Sequence, residues 1–480
     1  MLFNSLHFLV FFPVVVLFYL IIPRKMRSIW LLAASYYFYM SWNPQYALLM
    51  GASTVTTFLT GIMLERSNTD LKKKLCVTVS LVISLSILFF FKYFDFALEN
   101  VNRVLEVLNI TIIEKPFDVL LPVGISFYTF QALGYTVDVY RGDISAEKNI
   151  IKYSLFVSFF PQLVAGPIER SENLLIQIRN IETKKLWNQE RIRDGLMLML
   201  WGFFQKLMIA DRAAIAVNAV YNQYQAFGGG EIFLATILFA FQIYCDFDAY
   251  TNIARGAAKI CGFDLMANFR QPYFATSIAD FWRRWHISLS SWFRDYLYIP
   301  LGGSRVSPVR NWINLMITFL VSGAWHGASW HFIAWGGLHG AYQIVGKWKN
   351  ALLKEKKLQI PKIIQRGITF FLVTFAWMIF RANSLGDVKG MIKIMILQPV
   401  FKDIPAMNMS VVEWCLLGIS LAILLLMDLL REKGVSVKRL ILERPSVIRA
   451  VIYALGIGCI IIFGVYGVDY DASQFLYFQF

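Results

Sequence analysis

The sequence predicts an all-α polytopic membrane protein, and three observations support that fold class. The chain has 480 residues, of which 57% are hydrophobic and only 16% are charged, whereas a soluble domain has roughly 25% charged residues. Apolar runs of about 18 residues recur along the chain and are long enough to cross a bilayer as helices. The lysines and arginines that give a net charge of +15 cluster between these runs, as is typical of cytoplasmic loops. This clustering also argues against nucleic acid as a partner and favours membrane lipids.

The basic residues predict the orientation of the first spans. The first apolar run, residues 8–22, is followed by three basic residues within 24–27, so we expect the amino terminus to be extracytoplasmic. This run has neither a basic region before it nor a small-residue cleavage motif after it, and we expect a retained span. Two further spans, 28–43 and 44–63, are predicted to meet at a Trp-Asn-Pro turn and to return the chain to a basic loop at 66–74.

The middle of the chain divides less clearly into spans. A fourth span at 75–92 is expected to lead outward to a charge-balanced segment, 92–115, before 117–140 re-enters the membrane. Between 143 and 310, apolar pieces alternate with polar amphipathic stretches such as 171–193, which we expect to be interfacial or partly buried helices. The apolar pieces lie near 153–168, 193–209 and 231–250.

The carboxyl-terminal part again shows a regular alternation of spans and basic loops. Two basic loops, within 347–362 and 431–444, are separated by two crossings and are therefore both expected in the cytoplasm. Residues 469–480 then follow the last span on the extracytoplasmic side. The predicted spans here are 366–381, 411–430 and 447–467. We expect about eleven transmembrane helices in all, together with re-entrant and interfacial helices.

One region carries charge where the surrounding residues are apolar and aromatic. Between residues 281 and 326 the chain contains two of its five histidines and several ionisable side chains. Charge at membrane depth is costly, so it usually lines a protein-buried cavity and serves function. The ionisable residues in the first half of this region are Arg283, Arg284, His286, Arg294 and Asp295.

His326 is the first candidate for chemistry. It follows the apolar run 312–325 in the tripeptide Trp325-His326-Gly327, and about 36 residues separate the flanking cations Arg310 and Lys347. Because that length barely allows two spans, we expect His326 near the turn between two helices or in a protein-lined recess. A neutral imidazole there is suited to act as a general base towards a hydroxyl. The alternative is a histidine that is hydrogen-bonded for packing only.

His286 is the second candidate. The spacing places it on a helix, with Trp282, Leu289 and Phe293 on the same face. His331 and His339 lie about one and three to four helical turns after His326, and we expect each to be structural or to support the residues of the site from behind.

Other residues near the two histidines are expected to contact an acyl donor. Arg283 and Arg284 point away from His286 and are suited either to binding phosphate groups of a lipid or donor, or to anchoring an interfacial helix. The remaining candidates for lining a donor site are Trp285, Ser290, Asp295 and Trp325.

Several further patterns bear on the interior of the protein. Pro- and Gly-broken segments at 122–128 and 161–170 are typical of chain that lines a cavity. Asp246 and Asp248 interrupt an apolar stretch and are expected to form a structural ion pair with one of the cations Lys206, Arg212 or Arg255. The five cysteines show no metal-ligand spacing, and no metal is expected. No nucleotide-binding loop, GxSxG or HExxH motif occurs.

Five segments together resemble the membrane-bound O-acyltransferase family, and within it the bacterial alginate O-acetyltransferase (AlgI-like) branch. They are PVGISFYTFQ, FPQLVAGPIER, DFDAYTNIARG, FWRRWHISLSSWFRDYLYIPLGG and WHGASWHFIAWGGLHG. The resemblance implies one membrane-embedded domain, 1–480, whose helices surround a tunnel. Its parts would be amino-terminal spans (1–115), a catalytic core with both histidines (116–346), and carboxyl-terminal spans with an extracytoplasmic tail (347–480).

The resemblance also implies an activity. His326 would be the catalytic histidine, and His286 would occupy the family's second key polar position. The enzyme would sit in a bacterial cell membrane and move an acetyl group from a cytoplasmic thioester, acetyl-CoA, to hydroxyls of an extracytoplasmic polysaccharide. No bound cofactor is expected. An extracytoplasmic SGNH or esterase-like transferase and the polysaccharide synthesis and export machinery are the expected partners.

Three alternatives remain open from the sequence. One is D-alanyl transfer to teichoic acid from a carrier protein. Another is a polysaccharide or lipid transporter in which His286 and His326 relay protons, and the third is a non-catalytic scaffold for a secreted acetylase. In addition, Tyr477 in the tail is either an acyl relay at the outer mouth of the tunnel or an interfacial aromatic anchor.

Overall fold

The computed structural model describes residues 1–115, 122–164, 166–356 and 359–466, and every regular element in these ranges is a helix. This confirms the predicted all-α class. The amino-terminal part consists of α1 (Leu6–Ile21), α2 (Arg27–Met40), α3 (Tyr46–Arg66) and α4 (Asp70–Val107). The predicted Trp-Asn-Pro turn separates α2 from α3.

The central part contains both long and short helices. Two π-helical segments interrupt it, Ser171–Leu175 and Gln205–Ala210. Its α-helices are α5 (Ile125–Arg141), α6 (Ile150–Ser158), α7 (Ile176–Arg179), α8 (Gln189–Phe204), α9 (Asp211–Asn222) and α10 (Gly229–Ile260).

The carboxyl-terminal part begins with two short helices and continues with long ones. A third π-helical segment, Arg294–Tyr298, follows the short pair. The α-helices are α11 (Ile278–Arg284), α12 (Ile287–Phe293), α13 (Pro308–His326), α14 (Trp330–Glu355), α15 (Lys362–Arg381), α16 (Leu385–Leu397), α17 (Val411–Glu432), α18 (Val437–Leu442) and α19 (Ser446–Phe463).

Six helices within the described ranges are both long enough and apolar enough to cross a membrane: α3, α4, α10, α15, α17 and α19. The shorter apolar helix α1 is a further candidate. The protein is therefore a multi-pass membrane protein, while the count of about eleven spans stays a prediction. The carboxyl-terminal predictions agree closely with α15, α17 and α19, because each of these spans is bounded by charged residues.

The fourth predicted span, 75–92, lies inside a longer helix. Helix α4 has 38 residues and continues past Lys92 to Val107. Its second half carries acidic and basic side chains that are partly exposed, and such charges do not interrupt a helix. Lys92 therefore lies inside α4, and most of the predicted charge-balanced segment, 92–115, is a continuation of this helix.

The two Pro- and Gly-broken segments meet each other in the structure. Gly124 precedes α5 with a left-handed φ of 77°, and a β-carbon there would lie 2.7 Å from the carbonyl oxygen of Leu163. Of the span predicted over 117–140, residues 117–121 lie outside the described residues, and helix α5 begins at Ile125. The apolar piece predicted at 153–168 is helical only to Ser158, because Pro161 cannot continue the helix.

Helix α10 forms the buried centre of the molecule. In its most apolar window 78% of the residues are buried, compared with 17% for α4 and 6% for α19. Helix α8 packs closely on it, since a β-carbon at Gly202 would lie 2.7 Å from the carbonyl oxygen of Ala249. Small residues allow this approach of two backbones, which is the usual basis of helix packing in membranes.

Candidate active site

His326 is placed by a tight hairpin of α13 and α14. It is the last residue of α13, after which Gly327 adopts extended backbone and ends the helix. The two helices approach so closely that a β-carbon at Gly323 would clash with the carbonyl oxygen of Phe332, and one at Gly336 with that of Phe319. The position agrees with the prediction that His326 lies near a turn between two helices.

Aromatic rings surround the imidazole of His326. The ring centroids of Trp325 and Trp335 each lie 5.0 Å from that of His326, and Phe380 of α15 lies at 5.4 Å. All three rings meet the imidazole nearly edge-on, at interplanar angles of 80–88°. This packing restricts the orientation of the imidazole, which is half-buried.

The backbone of His326 is held by α4. The carbonyl groups in the last turn of a helix have no partner inside the helix, and leaving them unpaired away from water costs free energy. Nζ of Lys92 donates hydrogen bonds to the carbonyl oxygens of Trp325 (2.7 Å) and His326 (3.1 Å). The hydroxyl of Tyr93 donates to the carbonyl oxygen of Ala324 at 2.5 Å. Sequence reasoning missed this role of Lys92 and Tyr93.

His286 lies at a break between two helices, which corrects the prediction that it sits within one. It separates α11 from α12 and has a left-handed φ of 43°. The break arises because residues 268–270 pair with the chain on both sides of it. The N–H of Ile287 donates to the carbonyl oxygen of Asn268, and that of Arg270 to the carbonyl oxygen of Arg284, both at 2.9 Å. A left-handed conformation costs a residue with a side chain about 1–2 kcal/mol.

Buried hydrogen bonds hold this break in place. The side-chain oxygen of Asn268 accepts from the N–H of Ser288 at 3.1 Å, and its amide donates to the hydroxyl of Thr251 on α10 at 3.3 Å. The hydroxyl of Ser288 accepts from the N–H of Ile168, which belongs to the second Pro- and Gly-broken segment. Strained backbone that is fixed by its surroundings in this way is characteristic of functional sites.

The ring of His286 shares a neighbour with His326. His286 is only 3% exposed, and its ring centroid lies 6.4 Å from both Phe127 and Trp325. Trp325 therefore packs on both histidines. In the described part of the chain, Nδ1 of His286 has no hydrogen-bond partner. Since a buried polar atom without a partner is costly, this nitrogen is suited to receive or donate a hydrogen bond when a substrate is present.

Two other predicted site residues lie beside this pair. Trp285 is buried and packs on Trp377 of α15 at 4.8 Å and on Phe281 at 5.4 Å. Ser290 donates from its hydroxyl to the carbonyl oxygen of Trp285 at 3.0 Å. Ser290 also lines a cavity of about 150 Å³ between α12 and α13. The other residues around this cavity are Trp282, Leu289, Phe293, Arg294, Tyr298, Leu315, Thr318, Phe319 and Ser322.

The structure places the charged residues that were predicted to line the donor site either at the surface or in ion pairs. Arg283 is exposed, and Arg284 forms ion pairs with Glu432 of α17 at 2.7 Å and with Asp280 at 3.1 Å. Asp295 pairs with Arg170 and Arg294, at 2.8 and 2.7 Å. The structure thus ties Arg284 and Asp295 to ion pairs and brings neither into contact with the two histidine rings. Tyr477 lies outside the described residues.

His339 lies behind the candidate site, in agreement with one of its two predicted roles. Its ring is fully buried, and its Nδ1 accepts a hydrogen bond from Nε1 of Trp282 at 3.2 Å. The ring of Trp335 lies between it and His326, 4.9 Å from one imidazole and 5.0 Å from the other. His331 instead shares a 2.8 Å hydrogen bond with Ser329 near the turn.

The predicted ion pair in α10 is confirmed. Nζ of Lys206 lies 2.6 Å from a carboxylate oxygen of Asp246 and 2.8 Å from one of Asp211, and all three side chains are buried. Asp248 accepts instead from the side-chain amide of Gln205 at 2.8 Å. Of the three cations considered, Lys206 is the partner that the structure selects.

The chain is similar to known proteins of one family. The family model for the membrane-bound O-acyltransferase (MBOAT) family matches residues 143–386, a range that includes both histidines. The chain is 36% identical over 390 residues to a probable alginate O-acetylase of Azotobacter vinelandii, covering 80% of this chain and 76% of the relative. It is 34% identical over 430 residues to a peptidoglycan O-acetyltransferase of Helicobacter pylori, covering 82% and 80%.

More distant similarity extends to a third activity. The chain is 28% identical over 246 residues to a teichoic acid D-alanyltransferase of Streptococcus thermophilus, covering 49% of this chain and 58% of the relative. The family match spans half of the chain, and the two relatives above are matched over more than two thirds of their length. The chain therefore belongs to the membrane-bound O-acyltransferase family, in the branch of the alginate O-acetylases, and is an acyltransferase of the membrane.

Proposed function

We propose that this protein transfers an acetyl group from a cytoplasmic thioester, acetyl-CoA, to hydroxyls of an extracytoplasmic polysaccharide or to a secreted transfer partner. The observation that carries the proposal is the pair of histidines on one tryptophan. His286 lies at the break before α12 and His326 at the end of α13, and both pack on Trp325, which belongs to a buried, mainly aromatic cluster. An acyl transfer needs a base for the attacking hydroxyl and a donor for the oxyanion, and two neighbouring imidazoles are suited to these roles.

The proposed chemistry assigns one role to each histidine. The neutral imidazole of His326 takes the proton from the acceptor hydroxyl as its oxygen attacks the thioester carbonyl. His286 donates a hydrogen bond to the oxyanion that forms on the former carbonyl oxygen. The carbon–sulfur bond then breaks, and the proton held by His326 passes to the departing thiolate. The aromatic rings around His326 limit the access of water, which would otherwise hydrolyse the thioester.

We propose the cavity between α12 and α13 as the entry for the donor, although neither His286 nor His326 is among its lining residues. It has a volume of about 150 Å³ and lies against the helix that begins directly after His286. Its walls are mainly apolar, with Arg294 at the edge and the hydroxyl of Ser290 in the lining. We propose that the narrow chain that carries the thioester enters here, and that Arg283, which is exposed, meets its phosphates.

The relatives favour acetyl over D-alanyl transfer. The two named as acetylating enzymes are matched over 76% and 80% of their lengths at 34–36% identity. The D-alanyltransferase of Streptococcus thermophilus is matched over 58% at 28% identity. From the two acetylating relatives we propose that the acceptor is a surface polysaccharide or wall glycan. We also propose that the enzyme lies in a bacterial cell membrane with both of its termini on the extracytoplasmic side.

We further propose that a secreted esterase-like transferase completes the transfer and works beside the polysaccharide synthesis and export machinery. A tail residue, Tyr477, is our candidate for passing the acetyl group to that partner. If it does, Tyr477→Phe lowers acetylation of the exported polymer and leaves donor cleavage intact. Full acetylation of the polymer in that variant would remove the relay from the proposal.

The function is tested in cells by comparing His326→Ala with the matched variant His331→Ala. His331 lies five residues further along and is hydrogen-bonded to Ser329. We expect His326→Ala to export the polymer without O-acetyl groups, as measured by mass analysis of the surface glycan, and His331→Ala to retain them. A transporter would instead show impaired export with the remaining polymer acetylated. A non-catalytic scaffold would show normal acetylation in both variants.

A further inference from the structure

The last described helix is attached to the rest of the protein by very little packing. Helix α19 is strongly apolar, with a mean hydropathy of 2.3, and only Ile460 among its 18 residues is buried. In a membrane protein, helices are held together by close packing and polar contacts, since the lipid tails are as apolar as the side chains. Two polar contacts reach α19 from neighbouring helices: Arg212 donates to the carbonyl oxygen of Phe463, and the hydroxyl of Tyr453 donates to Sδ of Met197 at 3.7 Å. Along the rest of its length, side-chain packing does not account for how α19 is held beside α8 and α17.

A cavity separates these three helices. Its volume is about 480 Å³, within the usual range for sites that bind small molecules. Along α8 it extends from Asp194 to Phe204, which corresponds to about 15 Å at the rise of an α-helix. Both α17 and α19 are candidate membrane spans, so this cavity lies at the depth of the lipid tails. We call it the α19 cavity.

The walls of the α19 cavity are apolar. Helix α8 contributes mainly large hydrophobic side chains, and α17 and α19 contribute aliphatic residues, methionine and tyrosine. Water does not fill an apolar space readily, because it finds no hydrogen-bond partners there. The apolar lining residues are Met197, Leu198, Leu200, Trp201, Phe204, Ile423, Met427, Val437, Ile441, Ile452, Tyr453, Gly456 and Ile460.

One end of the cavity is basic. Arg431 at the end of α17 lies with its guanidinium carbon 5.3 Å from the centroid of Trp201, and Lys438 of α18 forms an ion pair with Asp194. The hydroxyl-bearing Ser436 lines the same end. Arg431 also lies 3.9 Å from Asp428. The loop 431–444 that forms this mouth carries five basic residues and two acidic ones, Glu432 and Glu443, so together with Asp194 and Asp428 the mouth keeps a small positive balance.

We propose that the α19 cavity binds an anionic phospholipid, with one acyl chain between α8, α17 and α19 and the phosphate at Arg431 and Lys438. The apolar walls match the chain, and the charged mouth matches the headgroup. Basic residues next to a membrane span attract anionic lipids by about 1 kcal/mol each. The bound lipid takes the place of side-chain packing and fastens α19 to the core. This site is separate from the two histidines and does not depend on the proposed function.

The test uses the full-length protein purified in detergent, with phosphatidylglycerol and phosphatidylcholine as probes. Native mass spectrometry measures bound lipid, and thermal unfolding measures the stabilisation that each lipid gives. The key variant is Gly456→Leu, because Gly456 lines the cavity and a β-carbon there would lie 3.4 Å from Cδ2 of Leu200. The matched control is Gly458→Leu on the same helix, where a β-carbon would meet no atom within 4 Å.

We expect phosphatidylglycerol to bind and stabilise the wild type and Gly458→Leu, and to bind at least about tenfold more weakly to Gly456→Leu. Lys438→Gln is expected to weaken phosphatidylglycerol about fivefold, the equivalent of one basic contact, and to leave phosphatidylcholine unchanged. Equal binding to Gly456→Leu and Gly458→Leu would overturn the site. Equal binding of the two lipids to the wild type would overturn the headgroup assignment.

Discussion

The two histidines of the candidate site are held in opposite ways. His326 ends a regular helix, and its ring is oriented by surrounding aromatic side chains while its carbonyl group is anchored by Lys92. His286 lies outside any helix, in a left-handed conformation that Asn268 and its neighbours impose through hydrogen bonds. One imidazole is positioned by packing and the other by backbone geometry. The comparison suggests different roles, because a proton-transfer base tolerates small motions and an oxyanion donor requires a fixed direction.

The largest effect is expected for His326, and it tests the proposed role of this residue as the base directly. His326→Gln keeps a polar side chain of similar reach and removes the base, so we expect kcat for acyl transfer to fall about 10²–10⁴-fold. The KM for the donor should change little, because the neighbours of the His326 imidazole in the resting enzyme are aromatic side chains and the ring is not assigned to donor binding. Steady-state release of thiol from acetyl-CoA by the reconstituted protein measures both constants. A variant that keeps more than about a tenth of the activity would contradict the assignment of the base.

His286 is expected to show the next largest effect. Two variants distinguish the hydrogen bond that its ring donates from the left-handed conformation of its backbone. His286→Ala removes the hydrogen-bond donor and leaves a residue that adopts the left-handed conformation poorly, so we expect kcat to fall about 10²–10³-fold. His286→Asn accepts that conformation and retains an N–H donor, and is expected to stay within about tenfold of the wild type. The same thiol-release assay applies. Equal loss of activity in the two variants would show that the reaction does not use a hydrogen bond from residue 286.

Lys92 should have a smaller effect that arises through His326. In Lys92→Met the carbonyl oxygens of Trp325 and His326 lose their donor, so the last turn of α13 loosens. We expect kcat to fall about tenfold with KM unchanged, and Lys92→Arg to recover most of the loss, since it restores a cationic donor. The matched control is Lys115→Met, which removes an exposed lysine that pairs with Asp95 of α4. Equal losses in Lys92→Met and Lys115→Met would argue against a specific anchor.

The smallest effect on activity is expected at Asn268, where the change appears mainly in stability. Asn268→Ala leaves the N–H of Ser288 and the hydroxyl of Thr251 without their partner. A buried group left unpaired costs about 1–3 kcal/mol, so the thermal midpoint should fall. We expect the remaining folded protein to turn over at a reduced rate because the break at His286 is less well fixed. A stable variant with wild-type turnover would show that other contacts alone maintain the left-handed residue.

The difference between His326 and His286 also explains which features of the structure could be predicted from the sequence. His326 follows a regular apolar run and precedes a glycine, so its place at the end of a helix is encoded locally and was predicted. The carboxyl-terminal spans were placed well for the same reason. Their limits are marked by neighbouring basic residues.

His286 was assigned to a helix because the residues around it have helical spacing. The break is imposed by Asn268 and Arg270, which pair across it from an earlier part of the chain. The role of Lys92 had no local signal at all, since its hydrogen-bond partners lie 233 and 234 residues away in sequence. Contacts of this kind depend on the assembled fold and do not follow from periodicity or spacing.

The central claim is that the imidazole of His326 activates the acceptor hydroxyl. The most direct measurement follows the transfer of labelled acetyl from acetyl-CoA to glycan by the protein reconstituted in liposomes together with the secreted transferase, comparing wild type, His326→Ala and His331→Ala. We expect transfer by the wild type and His331→Ala, and none above background by His326→Ala, with all three proteins folded to the same thermal midpoint. Transfer by His326→Ala at the wild-type rate would contradict the claim.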